Sequence, residues 1–303
     1  MRYTVLAHGG AGSFDTKEHD GPEQAARRGL QALQHGGSPL DAAIAATKHL
    51  EDDERFNAGT GSNLRFDGET IEMDASVMTS DGRFGAVAGL RRVRYPVAVA
   101  ADLLETPHDL LVGEGALRYA RARGHEDHDP RTRKAEQKHA KVVEMVRTGE
   151  IEPGWSDWEL GTLKEHWNYD KPMREVFGPS DTVGAVASDG TRFAAALSTG
   201  GTAATLLGRV GDVPLPGCGL HAGPEGAVCV TGDGEHLARA RLADTIYAWL
   251  EEGIDLDDVV PSALELFPDQ VAVGLLVVTA DGFTGGSNLP MAWSAEEVDA
   301  HDA

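Results

Sequence analysis

Cysteine, lysine and long apolar runs are what this 303-residue chain has least of. Its only cysteines, Cys218 and Cys229, leave no room for a disulfide scaffold and suit a reducing cytoplasm. No stretch approaches the roughly 18 consecutive apolar residues of a membrane span. The opening MRYTVLAHGG has no long apolar segment followed by a small-residue cleavage site, so it does not read as a secretion signal. Positive charge is short as well: 27 Lys+Arg stand against 49 Asp+Glu, a net −22. Such a surface repels phosphate backbones and anionic lipid heads, which argues against nucleic-acid and membrane-surface partners. Several signatures are also missing. Gly-x-Gly-x-x-Gly, Gly-x4-Gly-Lys-Ser/Thr, His-Glu-x-x-His, paired Cys-x-x-Cys and a Gly-x-Ser-x-Gly elbow do not occur. Nucleotide binding, zinc hydrolysis and serine-esterase chemistry lose their usual marks.

What remains is an ordinary globular composition, 41% apolar and 25% charged, able to bury a large core. The basic residues are 20 Arg and only 7 Lys. Abundant short carboxylates with few lysines suit a salt-rich cytoplasm, where screening weakens self-repulsion, so a halophilic origin is expected.

Along the chain, Thr4 to Ala7 reads as a buried strand running into His8-Gly9-Gly10-Ala11-Gly12. Helical spacing marks Pro22 to Gln34, Leu40 to Leu50, Pro96 to Leu104 and Leu110 to Arg123. Ile71 to Met78 and Phe84 to Leu90 read as strands about Ser80-Asp81-Gly82. Residues 124–181 turn polar and read as a mobile linker with one helix, Lys134 to Arg147, and solvated His125, His128 and His139. Order resumes at Thr182. Strands are expected at Thr182 to Ala187, Arg192 to Leu197, Ala227 to Thr231, Val271 to Thr279 and Phe283 to Gly286, with helices at Glu235 to Glu251 and Asp257 to Leu266. Paired strands flanked by helices fit two sheets covered by helix layers, not a doubly wound parallel sheet. The chain is expected to form one α+β domain over residues 1–303.

The densest chemistry follows the polar stretch. Asp181-Thr182-Val183-Gly184 leads to Ser198-Thr199-Gly200-Gly201, then Gly208-Arg209-Val210-Gly211-Asp212, then Thr231-Gly232-Asp233-Gly234-Glu235. A threonine hydroxyl attacks poorly at neutral pH without an adjacent base. Its own α-amino group, with a free pKa near ~7.7–8.0, could serve. While Asp181–Thr182 is a peptide bond that nitrogen is an amide, so such a chain must cut itself first. The competing reading is that Thr182 is one more β-branched strand residue.

The ordered set of motifs resembles the plant-type L-asparaginase and isoaspartyl peptidase family of N-terminal-nucleophile hydrolases. It also includes Phe56-Asn57-Ala58-Gly59 and Met73-Asp74-Ala75-Ser76-Val77-Met78. The resemblance implies an αββα four-layer sandwich cleaved into 1–181 and 182–303. It implies Thr182 as nucleophile, Asp181 as the residue before the cut, Thr199 as its hydrogen-bonding neighbour, and Thr231 with the Gly232 N–H as the oxyanion hole. Arg209 would clamp the substrate α-carboxylate as a bidentate fork and Asp212 would pair the α-ammonium, with Asn57 and Gly234 at further substrate-binding positions. A structural sodium ion would rest on the backbone of Leu50, Glu51, Asp53, Phe56, Ala58 and Thr60; no organic cofactor is implied. Substrates would be L-asparagine and β-aspartyl dipeptides, and the assembly a cytoplasmic homodimer of cleaved pairs. Thr202-Ala203-Ala204-Thr205-Leu206-Leu207 replaces the family's Met-Thr-Asn-Lys-like run, and Asp181 its commoner glycine. Glycosylasparaginases carry aspartate there, so their activity is one alternative. A non-cleaving aspartate- or asparagine-binding pseudo-enzyme is the other.

Overall fold

The computed structural model describes residues 2–12, 20–148, 182–203 and 205–300. Strand β1 (Arg2–Ala11) lies inside a seven-stranded sheet with β2 (Met73–Thr79), β3 (Phe84–Leu90), β4 (Leu110–Val112), β5 (Val183–Ser188), β6 (Phe193–Thr199) and β11 (Met291–Asp299). The spatial order is β11-β1-β5-β6-β2-β3-β4, antiparallel except for the β3–β4 pair. A second, antiparallel sheet runs β10 (Phe283–Ser287), β9 (Val273–Val278), β8 (Gly226–Gly232), β7 (Leu220–Gly223).

Alternation along each strand decides what lies between the sheets. Val5 and Ala7 face α1 (Asp20–Gln34) and α2 (Pro39–Asp52), joining Ala42, Ala46, Leu50 and Ala196 in an outer core, and α3 (Pro96–Asp102) covers β2 and β3 on the same side. Leu6, Val186 and Leu197 point the other way and meet Leu220, Cys229, Leu276 and Val278. The far face of the small sheet, with Val228, Val230 and Val277, packs on α7 (Leu242–Glu251) and α8 (Leu256–Glu265). Helix, sheet, sheet, helix: the four-layer sandwich is the observed architecture.

Several local expectations change. Leu110 to Val112 is an edge strand, and α4 (Gly113–Ala122) begins only at Gly113, whose φ of +52° breaks the helical pattern. The expected single helix from Glu235 is two, α6 (Gly234–Ala240) and α7, separated by Arg241 in the left-handed region at φ +47°. Strands β7 and β11 carry too few alternating apolar residues to announce themselves.

Over its described part, 124–148, the polar stretch carries the expected helix as α5 (Arg133–Arg147), and hydrogen bonds tie it and the residues before it to neighbouring segments. Gly61 donates to the Pro130 carbonyl at 3.0 Å, the His128 ring meets the Thr60 hydroxyl at 3.0 Å, and the His139 ring meets the Phe66 carbonyl at 3.1 Å. His125 bonds Asp102 at 2.8 Å, so none of the three histidines is free in solvent. Polar residues satisfied by other polar residues leave no apolar period to read.

Candidate active site

Strand register brings the threonines together. Val183 pairs with Ser198, so one step outward Thr182 stands beside Thr199, at the ends of β5 and β6. Both share the inter-sheet face with Gly184 and Leu197. Thr231, near the end of β8, lies on the inter-sheet face of the small sheet, on the side of Cys229. All three are buried. The Ala11 N–H, at the end of the His8-Gly9-Gly10-Ala11 run, donates to the Thr231 hydroxyl at 3.4 Å, tying the glycine-rich strand end to the same place. The next residue, Gly232, has φ +143°, and a Cβ there would lie 2.0 Å from the Ala272 carbonyl, so only glycine fits. Asp181 lies outside the described residues.

Thr199 is held by its own turn. Its hydroxyl accepts the Gly201 N–H at 3.1 Å. The Asn57 amide donates to the Gly201 carbonyl at 2.7 Å and its oxygen accepts from the Asn63 N–H at 2.9 Å. Asn63 adds a second bond to the Gly201 carbonyl, at 2.8 Å. The hydrogen bonds of Asn57 thus go to the protein's own backbone, and it bears on the site by bracing the Gly200-Gly201 turn.

The charged half of the site sits in the loop before Val213. Arg209 is mostly buried and uses Nε and Nη2 to bond both oxygens of Glu235, at 2.8 and 2.6 Å. That edge of the fork is therefore taken, and a carboxylate ligand would meet the Nη1–Nη2 edge or displace Glu235. Gly234 makes the crowding tolerable: a Cβ there would lie 2.9 Å from Asp212 Oδ1 and 3.0 Å from Arg209 Nη2. Asp212 is buried with Oδ2 unpartnered, and burial pushes its carboxyl up to about 7. Asp74, at the start of β2, accepts the Gly89 N–H with one oxygen, leaves the other unpartnered, and is pushed up by burial to about 6. An orphaned buried carboxylate is costly unless something pairs it, and a cationic ligand group would.

His8 is the other orphan. Its ring is fully buried over Gly184, where a Cβ would come within 2.7 Å of Nε2. Neither ring nitrogen has a well-formed hydrogen bond, although the Thr182 backbone lies beside the ring. Burial lowers its pKa to about 3, so the imidazole is neutral beside the threonine.

From Leu50 to Thr60, three of the carbonyls expected to hold sodium already accept backbone hydrogen bonds. Glu51 O accepts the Thr60 N–H at 2.8 Å, Leu50 O the Asp53 N–H at 3.3 Å, and Asp53 O the Phe56 N–H at 3.0 Å. A Cβ on Gly61 would lie 2.7 Å from Phe56 O, and one on Gly59 2.5 Å from Glu51 O. Ala58 is buried between them. Neutral carbonyl oxygens with spare lone pairs suit a hard cation such as sodium. Among the described residues no cluster of three or more His, Cys, Asp or Glu forms a metal site of the side-chain kind.

Glu235, Arg65, Glu72 and Asp74 were not picked out in the sequence as site residues. Glu235 and Asp74 lay inside the quoted motifs, whereas Arg65 and Glu72 carried no signal beyond a charge among apolar neighbours.

Two sheets between helix layers, with a threonine just ahead of a central strand and beside a second threonine, form the sandwich architecture of the N-terminal-nucleophile hydrolases. The chain belongs to the asparaginase family, whose model matches residues 1–299. It is 38% identical over 292 residues to the plant-type L-asparaginase of Pyrococcus abyssi, covering 93% of this chain and 91% of that one. It is 36% identical over 312 residues to the isoaspartyl peptidase/L-asparaginase of Danio rerio (98% and 93% covered) and 35% over 308 to that of Homo sapiens (97% and 93%).

Proposed function

We propose that this chain is an autocleaving amidohydrolase that converts L-asparagine to L-aspartate and ammonia and removes N-terminal isoaspartyl (β-aspartyl) residues from peptides. The observation that supports the reading is that Thr182 and Thr199 stand side by side at the ends of β5 and β6, on the inter-sheet face that Thr231 also lines. Cleavage after Asp181 would free the Thr182 α-amino group. That amine takes the hydroxyl proton as Oγ1 attacks the β-carbonyl, and the Thr231 hydroxyl and Gly232 N–H receive the oxyanion that forms. The amine then gives its proton to the leaving nitrogen, and a β-aspartyl ester remains on Thr182. Water, deprotonated by the same amine, attacks the ester and releases aspartate. Arg209 holds the α-carboxylate and Asp212 the α-ammonium, so blocked aspartyl groups are refused.

The backbone of Leu50, Glu51, Asp53, Phe56, Ala58 and Thr60 would hold a sodium ion, which would stiffen the loop that carries Asn57. The working form would be a cytoplasmic homodimer of cleaved pairs. Gly200 directly after Thr199 favours the asparaginase branch over glycosylasparaginases, which tend to have asparagine there. Steady-state rates on L-asparagine, a β-aspartyl dipeptide, N-acetylasparagine and glycosylated asparagine test the reading. Efficient turnover of N-acetylasparagine would mean the Asp212 contact is wrong, and preference for the glycosylated substrate would move the chain to the neighbouring branch.

A further inference from the structure

Beneath the loop that bears Arg209 lies the largest fully buried side chain among the described residues, and it is an arginine. Arg65 has no solvent exposure. Its Nε donates to Glu72 Oε2 at 3.2 Å, and Nη1 to the Thr205 hydroxyl at 2.9 Å. Nη2 reaches two carbonyls, that of Glu72 at 3.3 Å and that of Arg209 itself at 3.1 Å. Glu72 completes the frame by accepting the Gly208 N–H at 2.7 Å. The backbone beside Arg65 joins in, as the Phe66 N–H donates to the Thr205 carbonyl at 2.9 Å. Residues 205, 208 and 209 are thus fixed, one after another, to the 65–72 segment.

Room for the guanidinium is built in. Gly201 has φ +68°, and a Cβ there would come within 2.7 Å of Arg65 Nη1. The turn that follows Thr199 and the loop that carries Arg209 therefore meet on one buried cation. Burying a guanidinium is costly, and it is tolerated here because one planar group satisfies four acceptors at once. No apolar side chain and no lysine could do the same. This part of the chain is also where its sequence, Thr202 to Leu207, leaves the run common in the family.

We propose that Arg65 is a positioning residue for substrate recognition: it fixes the Thr205–Arg209 loop so that Arg209 meets the substrate α-carboxylate in one geometry. The inference rests on the assignment of Arg209 as the head-group clamp. Arg65 touches no substrate atom; it acts through the Arg209 backbone. Its loss should therefore appear in binding of the α-carboxylate and leave the chemistry at Thr182 intact.

The test compares Arg65→Lys and the milder Thr205→Val with the unaltered enzyme, rates being expressed per cleaved chain. Two substrates are used: L-asparagine, and 3-aminopropanamide, which is asparagine without its α-carboxylate. KM for L-asparagine should rise about tenfold in Arg65→Lys and by about half that factor on a logarithmic scale in Thr205→Val, with kcat little changed. kcat/KM for 3-aminopropanamide should stay within about twofold in both, because the contact being loosened is one that amide never makes. Equal losses on both substrates, or a fall in kcat at constant KM, would show Arg65 to be only a core residue and overturn the proposal. An unaltered enzyme with no activity on L-asparagine would sink the functional reading itself, a result distinct from active variants with unchanged KM.

Discussion

The space between the two sheets has two halves built on the same strands. In one, Leu6, Val186, Leu197, Leu276 and Val278 close an apolar core. In the other, His8, Thr182, Thr199, Asp74 and Thr231 occupy positions of the same alternation and Asp212 joins them from a loop, and four of their side-chain polar atoms, two on His8 and one on each aspartate, lack a well-formed hydrogen bond. The apolar half gains free energy from burial; the polar half gives some back. Strand pairing supplies the rigidity that keeps those unpaired groups in place. A buried site paid for in this way is ready for a zwitterionic ligand.

The sharpest break of this contrast is Thr182→Ala. It should lower asparaginase activity by at least roughly a thousandfold, the nucleophile being gone, and leave one uncut polypeptide on a denaturing gel. In the apolar half, Leu197→Ala should cost about 2–5 kcal/mol of stability, read in denaturant unfolding, while activity per folded molecule at low temperature is largely retained.

Asp212→Asn tests the cost and the use of the polar half at once. The folded-state value near 7 lies above the ordinary 3.8, so this carboxyl supports the fold fully only below its unfolded value and loses that support as pH rises through about 7. The variant should therefore gain more melting temperature over wild type at pH 8 than at pH 5, while its KM for L-asparagine rises. In wild type the same titration makes KM climb as pH falls below about 7, since protonated Asp212 no longer pairs an ammonium. A pH-independent KM between 5.5 and 8.5 would rule out Asp212 as that partner. The smallest effect is general: with a net charge of −22, the melting temperature should rise from low to molar KCl, and a flat or falling trend would contradict the halophilic reading.

The legible parts of the molecule were those with a period or a motif. Strands such as Val183–Ser188 and Phe193–Thr199 are buried throughout, and their glycine and threonine ends stood out. Strand β11 did not, because it lies at a sheet edge and carries Glu296 and Glu297, which pair with Arg27, Arg2 and Thr4 instead of filling a core. Arg209 was legible as a cation near the site, but its engagement by Glu235 was not. That contact joins a loop to α6 across 26 residues, and no local pattern encodes it. Arg65 escaped for the same reason: a buried arginine looks in sequence like any surface one until its acceptors are seen.

The most direct measurement is the mass and N-terminal residue of each polypeptide in the purified, active protein. The account predicts two chains, the second beginning at Thr182, with activity proportional to the cleaved fraction. Full asparaginase activity from a chain shown to be wholly uncut would contradict it, because an amide nitrogen at Thr182 cannot serve as the base.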